Sequence, residues 1–192
     1  HANFGRRCAK RAGHGWQDAQ VDAARPIGAA MKGCEEGPRF EFPNDDKCRA
    51  AALTPYQNLI NDATRNCAAL FSHTPKARCG VRRVPVFKEA TAPGAYYEAA
   101  SLDGTRPGVF YANLRDTSEL ANWTMPTLAY HEGVPGHHWQ ISTAQALKDL
   151  PQFRRILPFT AYEEGWALYA ERLAKDAGWF AQAPFGPLGT LP

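Results

Sequence analysis

The chain has 192 residues, 44% apolar and 21% charged, with a formal net charge of +3. These values fit one folded domain with a real core and exclude disorder as its default state. No apolar run approaches the roughly 20 residues of a membrane span, and the one tight basic cluster, Arg6, Arg7, Lys10 and Arg11, lacks the interleaved aromatics of a nucleic-acid arm.

In chain order, residues 1–43 form an irregular segment rich in Gly, Ala and Pro, with one helix expected around Asp18 to Met31. The sequence begins at His1 rather than Met, as expected of a processed or partial chain. All five cysteines, Cys8, Cys34, Cys48, Cys67 and Cys79, lie in the first 80 positions, and none forms a C-x-x-C pair. Disulfides Cys34–Cys48 and Cys67–Cys79 are therefore expected, each closing a short loop, with buried free thiols as the alternative. Such bridges point to the periplasm or the cell exterior.

From Asn44 to Phe71 the residues Leu53, Tyr56, Ile60, Ala63, Cys67 and Leu70 recur at helical spacing, predicting a core-facing helix kinked at Pro55. Strands are expected over 81–87, 94–98 and 108–114, where short apolar or alternating runs are separated by Gly- and Pro-containing turns; together they make a small sheet. Two helices follow. The first starts at Thr124 as N-cap, with Pro126 near its first turn, and runs to about Leu147. The second carries a capping box, Thr160 with Glu163, and ends at Gly178, with residues 150–157 as a connector. Trp123, Trp139, Trp166 and Trp179 are assigned to core or groove packing.

The chemistry lies on those two helices. A zinc-protease helix spells H-E-x-x-H, because residues four apart share a face and two imidazoles can meet one metal. Here His131-Glu132 is followed by Gly133, Val134, Pro135 and Gly136 before His137 and His138. At about 100° per residue, His131 and His137 stand roughly 240° out of phase on a regular helix, and His138, though in phase, is about 10 Å further along the axis. Neither pair can share an ion on a regular helix. Pro135 cannot donate to a preceding carbonyl and Gly136 tolerates unusual dihedrals, so a bulge is expected between Glu132 and His137 that returns His137 to His131. His137 is favoured over His138 as the second donor; His138 is then a supporting or substrate-facing group. On the second helix Glu164, Leu168 and Glu171 share a face, so one carboxylate can ligate while the other supports a histidine. Glu171 is placed for the supporting role, and Gly165 leaves room for close packing.

The segments His131-Glu132-x-x-Pro135-Gly136-His137-His138 and Tyr162-x-Glu164-Gly-Trp-Ala-Leu-Tyr-Ala-Glu171 resemble those of the bacterial domain of unknown function family 885, of the thermolysin-like, or gluzincin, peptidase clan. The likeness extends upstream through Arg82-Arg-Val-Pro and Ser101-Leu-Asp-Gly-Thr-Arg-Pro, covering roughly residues 45–180. It implies an α+β, mainly α fold in which residues 44–192 form a zincin-like catalytic core, its small sheet packed on the motif helix and a third-ligand helix. It also implies that the chain is a central fragment of a longer protein. The implied ligands are His131, His137 and Glu164 holding Zn2+, with Glu132 as general base.

A zinc with three protein ligands keeps a position for water, whose proton Glu132 would take. Tyr162, Tyr169 and His138 are the candidate donors to a developing oxyanion. By analogy with the clan, strand 109–114 would pair with an extended substrate, with Tyr111 and Asn113 as contacts. The expected partner is a peptide or a small amide or ester. A metal-binding domain without catalysis and a zinc hydrolase of non-peptide substrates are the alternatives.

Overall fold

In a computed structural model, residues 43–117 and 120–181 are described, together with Ala183 and Gly186. The expected helix over 18–31 lies outside them.

Helix α1, Asp46–Cys67, opens on Asp45, whose carboxylate accepts the Cys48 N–H at 2.8 Å. It is continuous through Pro55 and buries Cys48, Ala52, Tyr56, Ile60, Ala63 and Cys67 along one stripe. Leu70 of the expected stripe falls beyond its end and is exposed. Strands β1 (Cys79–Arg83), β2 (Ala95–Glu98) and β3 (Gly108–Ala112) form a sheet of order β1-β3-β2. β3 is parallel to β1 and antiparallel to β2, with Tyr97 opposite Phe110 and Val81 opposite Phe110 on the other side. The expected strand 81–87 is shorter because the chain turns at Pro85 into a 3-10 turn over Val86–Lys88.

The central place of β3 corrects one expectation. Both of its edges are already paired, so strand 109–114 cannot receive a substrate strand. Tyr111 stacks on Tyr96, with ring centroids 4.9 Å apart, and the Asn113 amide donates to the carbonyls of Glu89, Ala92 and Pro93. The outer edge of β1 is covered by Gln57 of α1, which donates to Cys79 O at 3.2 Å and accepts the Val81 N–H at 3.1 Å.

Beyond the sheet come a one-turn helix α2 (Met125–Leu128), a π-helical segment over Ala129–Gly133, helix α3 (His137–Ala146), the short helix α4 (Gln152–Ile156) and helix α5 (Thr160–Asp176). The fold is thus α+β and mainly helical, with residues 150–157 partly helical rather than a bare connector. One core joins Tyr56 and Ile60 of α1, Phe110 and Ala112 of β3, Ala129 and Tyr130 of the π segment, and Ala174 of α5. No helix among the described residues is long and apolar enough to cross a membrane.

Three other expectations change. Thr124 takes the N-cap position of α2 but makes no cap bond; its hydroxyl donates to Ala121 O instead. Phe159, not Thr160, precedes α5, and no side chain caps it, so the capping box does not form. Cys67 and Cys79 are free thiols, so that expected bridge is absent; burial pushes both thiol pKa values up to about 12. Cys48 is disulfide-bonded, while Cys34 lies outside the described residues. The end of α5 does follow its sequence: Gly178 has φ +75°, and the N–H groups of Gly178 and Trp179 donate to Lys175 O and Ala174 O. That is the two-bond glycine stop that satisfies the last carbonyls of a helix.

Candidate metal centre

Between His131 and His137 the backbone is irregular throughout. The π-helical turn ends at Val134, in extended conformation, followed by a cis Val134–Pro135 bond and then Gly136. At Gly136 the chain folds back onto its own previous turn. A Cβ there would lie 1.8 Å from His131 O and 2.4 Å from Tyr130 O, so only glycine permits this approach. The return sets the His131 and His137 rings 4.9 Å apart and nearly perpendicular.

Helix α5 crosses this bend, and its phase places two carboxylates on His131. Glu164 Oε2 is 3.3 Å from Nε2, and Glu171 Oε1 is 2.7 Å from Nδ1. Glu164 Oε1 is also 3.7 Å from His137 Nε2. One donor atom from each of His131, His137 and Glu164 thus lies within 4.8 Å of the others. A tetrahedral zinc with bonds of roughly 2 Å separates its ligand atoms by about 3.3 Å, so the spacing fits. The donor chemistry agrees. Glu171 accepts the His131 Nδ1–H, which leaves Nε2 facing the Glu164 carboxylate, the arrangement in which both can act as donors to one cation.

Charge in the site is consistent with this. Burial alone would lower the His131 pKa, but its hydrogen bond to Glu171 and the charges of Glu132, Glu171 and Glu164 together raise it. His137, lacking such a partner, is held below the ordinary value by burial and by His131, against the pull of Glu164. Glu132 is raised, first by burial and then by Glu164 and Glu171, with His131 and the Tyr97 N–H acting in the opposite sense. Its Oε2 is 4.0 Å from His137 Nε2, beside the three donors but not among them.

His138 is not a substrate-facing group. It is 3% exposed, its Nε2–H donates to Ala77 O at 3.1 Å, and Nδ1 lies 2.9 Å from the Tyr97 hydroxyl. A carbonyl can only accept, so Nε2 carries the proton and Tyr97 donates to Nδ1. Burial holds the His138 pKa down at about 4. Tyr162 is 58% exposed and lines a cavity with Phe71, Trp139 and Trp166 rather than joining the donors. Tyr169 is also exposed, packed against the Trp166 ring. A Cβ added at Gly165 would meet no atom within 4 Å, so the expected close packing there is absent among the described residues.

Sequence reasoning passed over Tyr97. Its hydroxyl donates to His138 Nδ1, so β2 fixes a residue of the motif segment. Gly108 makes this possible, since a Cβ there would lie 2.2 Å from the Tyr97 hydroxyl and 2.8 Å from His138 Nδ1. Only the strand pattern around Tyr97 was visible in the sequence; a partner 41 residues away was not.

The family model for "Bacterial protein of unknown function (DUF885)" matches residues 9–192. No curated protein matches the chain. Among solved structures, one described as "the putative lipoprotein from Colwellia psychrerythraea" is similar at 35% identity, with a TM-score of 0.83. The match covers 98% of this chain and 32% of that one, so the present chain spans about a third of its relative's length.

Proposed function

We propose that this chain, which belongs to the DUF885 family, carries the centre of a zinc-dependent hydrolase, acting on peptide bonds, of the gluzincin type. The observation that carries the reading is the meeting of His131, His137 and Glu164 from two separate elements, with the half-buried Glu132 beside them and outside the donor set. His131, His137 and Glu164 would hold the ion, which when bound supplies Lewis acidity to a water and to a substrate carbonyl.

The residues of the chain divide the remaining work. Glu171 keeps the His131 proton at Nδ1 and so keeps Nε2 free to ligate. Glu132 takes a proton from the attacking water on its carboxylate and returns it to the leaving amine. A catalytic role is favoured over a purely structural ion because the set has three protein donors and an adjacent half-buried acid; structural zinc is usually closed by a fourth Cys or His. The relative described as a lipoprotein supports an extracytoplasmic setting for this chain.

The test is digestion of a peptide library by the protein with and without chelator, read by mass spectrometry alongside zinc content. Glu132→Gln is expected to retain zinc and lose about 10²–10⁴-fold in rate. Undiminished cleavage by that variant would remove Glu132 from the mechanism.

A further inference from the structure

The two histidines of the site are unequally supported. His131 has Glu171 on its second nitrogen, whereas Nδ1 of His137 is buried with no partner. A buried imidazole nitrogen without a hydrogen bond is costly, and a ligating histidine almost always donates its remaining N–H to a carboxylate, a carbonyl or a water. The complementary group lies on the same helix. Gln140 is 7% exposed, and its side-chain oxygen is likewise buried and unpartnered. The two residues are three apart on α3, a spacing that makes side chains neighbours on a helix surface. One is a donor whenever Nε2 ligates; the other is an acceptor.

We propose that Gln140 is the positioning residue for His137, accepting its Nδ1 proton on the side-chain carbonyl, directly or through one buried water, as Glu171 does for His131. This rests on the reading of His131, His137 and Glu164 as zinc ligands. Room for the adjustment exists, because Gln140 also lines a cavity of about 210 Å³ between α3 and the start of α5, bounded by Phe71, Trp139, Tyr162 and Trp166. The amide can turn within it, and a water needs only a small fraction of that volume. The assignment pairs two of the buried unpartnered atoms with each other and fixes the tautomer in which His137 presents Nε2 to the ion.

Zinc affinity, measured by chelator competition on the full chain, tests this with Gln140→Leu and Gln140→Glu, together with thermal unfolding of the metal-free proteins. Gln140→Leu is expected to weaken zinc binding about 10- to 100-fold, while its metal-free unfolding temperature stays at or above that of the wild type. Gln140→Glu, which keeps an acceptor, is expected to bind within a few-fold of the wild type. Unchanged affinity in Gln140→Leu overturns the proposal. So does a loss of affinity in both variants that follows a parallel loss of metal-free stability, which would mark Gln140 as packing only. A wild-type chain that takes up no zinc overturns the ligand reading itself, a result distinct from either.

Discussion

The segment Ala129–His138 and helix α5 both bring side chains to one point, yet they do so by opposite means. The first is irregular at nearly every step, with a π-helical turn, an extended residue and a cis proline, and most of its residues are buried. The second is a regular helix whose donor, Glu164, leaves 53% of its side chain exposed. In the segment, His137 reaches His131 only because of the path of the backbone. In α5, Glu164 and Glu171 reach His131 because seven residues bring a helix back to nearly the same phase. Backbone changes should therefore disable the segment and leave α5 intact.

The sharpest way to break this contrast is Gly136→Ala. The added methyl would meet the backbone of Tyr130 and His131, which no side-chain adjustment can relieve. Unfolding measurements should show a loss of about 4 kcal/mol or more, the range reserved for enforced backbone or core disruption. Zinc retention should fall with it, because the displaced residue is the one that returns His137. Near-wild-type stability and zinc content would mean that the close approach at Gly136 does not hold the site.

The same contrast explains what the sequence made legible. Phase arguments transfer directly from a string of letters, so α1, the pairing of Glu164 with Glu171, and the impossibility of a straight helix through His131 and His137 could all be read. The break itself was readable as a conflict between spacing and helix geometry. Its shape was not. The expected bulge favoured His137 over His138, but what holds His138 away from the donors was hidden, since Tyr97 and Ala77 reach it across distant parts of the chain. The place of β3 at the centre of the sheet was hidden for a similar reason, since strand order depends on long-range pairing. Thr160 and Glu163 spell a capping box, yet the helix boundary fell at Phe159 and the cap went unmade.

A smaller effect is expected behind the site. Tyr97→Phe leaves His138 Nδ1 buried without a donor while the Nε2–H bond to Ala77 remains. The cost should be about 1–3 kcal/mol in thermal or denaturant unfolding. Zinc content should be unchanged, because neither Tyr97 nor His138 belongs to the donor set. The companion variant His138→Ala separates the two histidines directly: it should keep zinc, whereas His137→Ala should lose it. The reverse outcome would exchange their roles.

The smallest effect runs in the other direction, and it probes α5. Gly165 sits inside that helix, exposed, with no neighbour where a methyl would go. Glycine in a helix interior costs about 1 kcal/mol relative to alanine. Gly165→Ala should therefore stabilise the chain by about that amount, raising the unfolding temperature by about 2–4 °C for a domain of this size. Zinc content should not change, since the helical phase that sets Glu164 and Glu171 is preserved. A loss of stability would be more informative than a gain. It would mean that some surface beyond the described residues packs against Gly165, so that α5 is held by close approach as the motif segment is, and the two regions would no longer differ in kind.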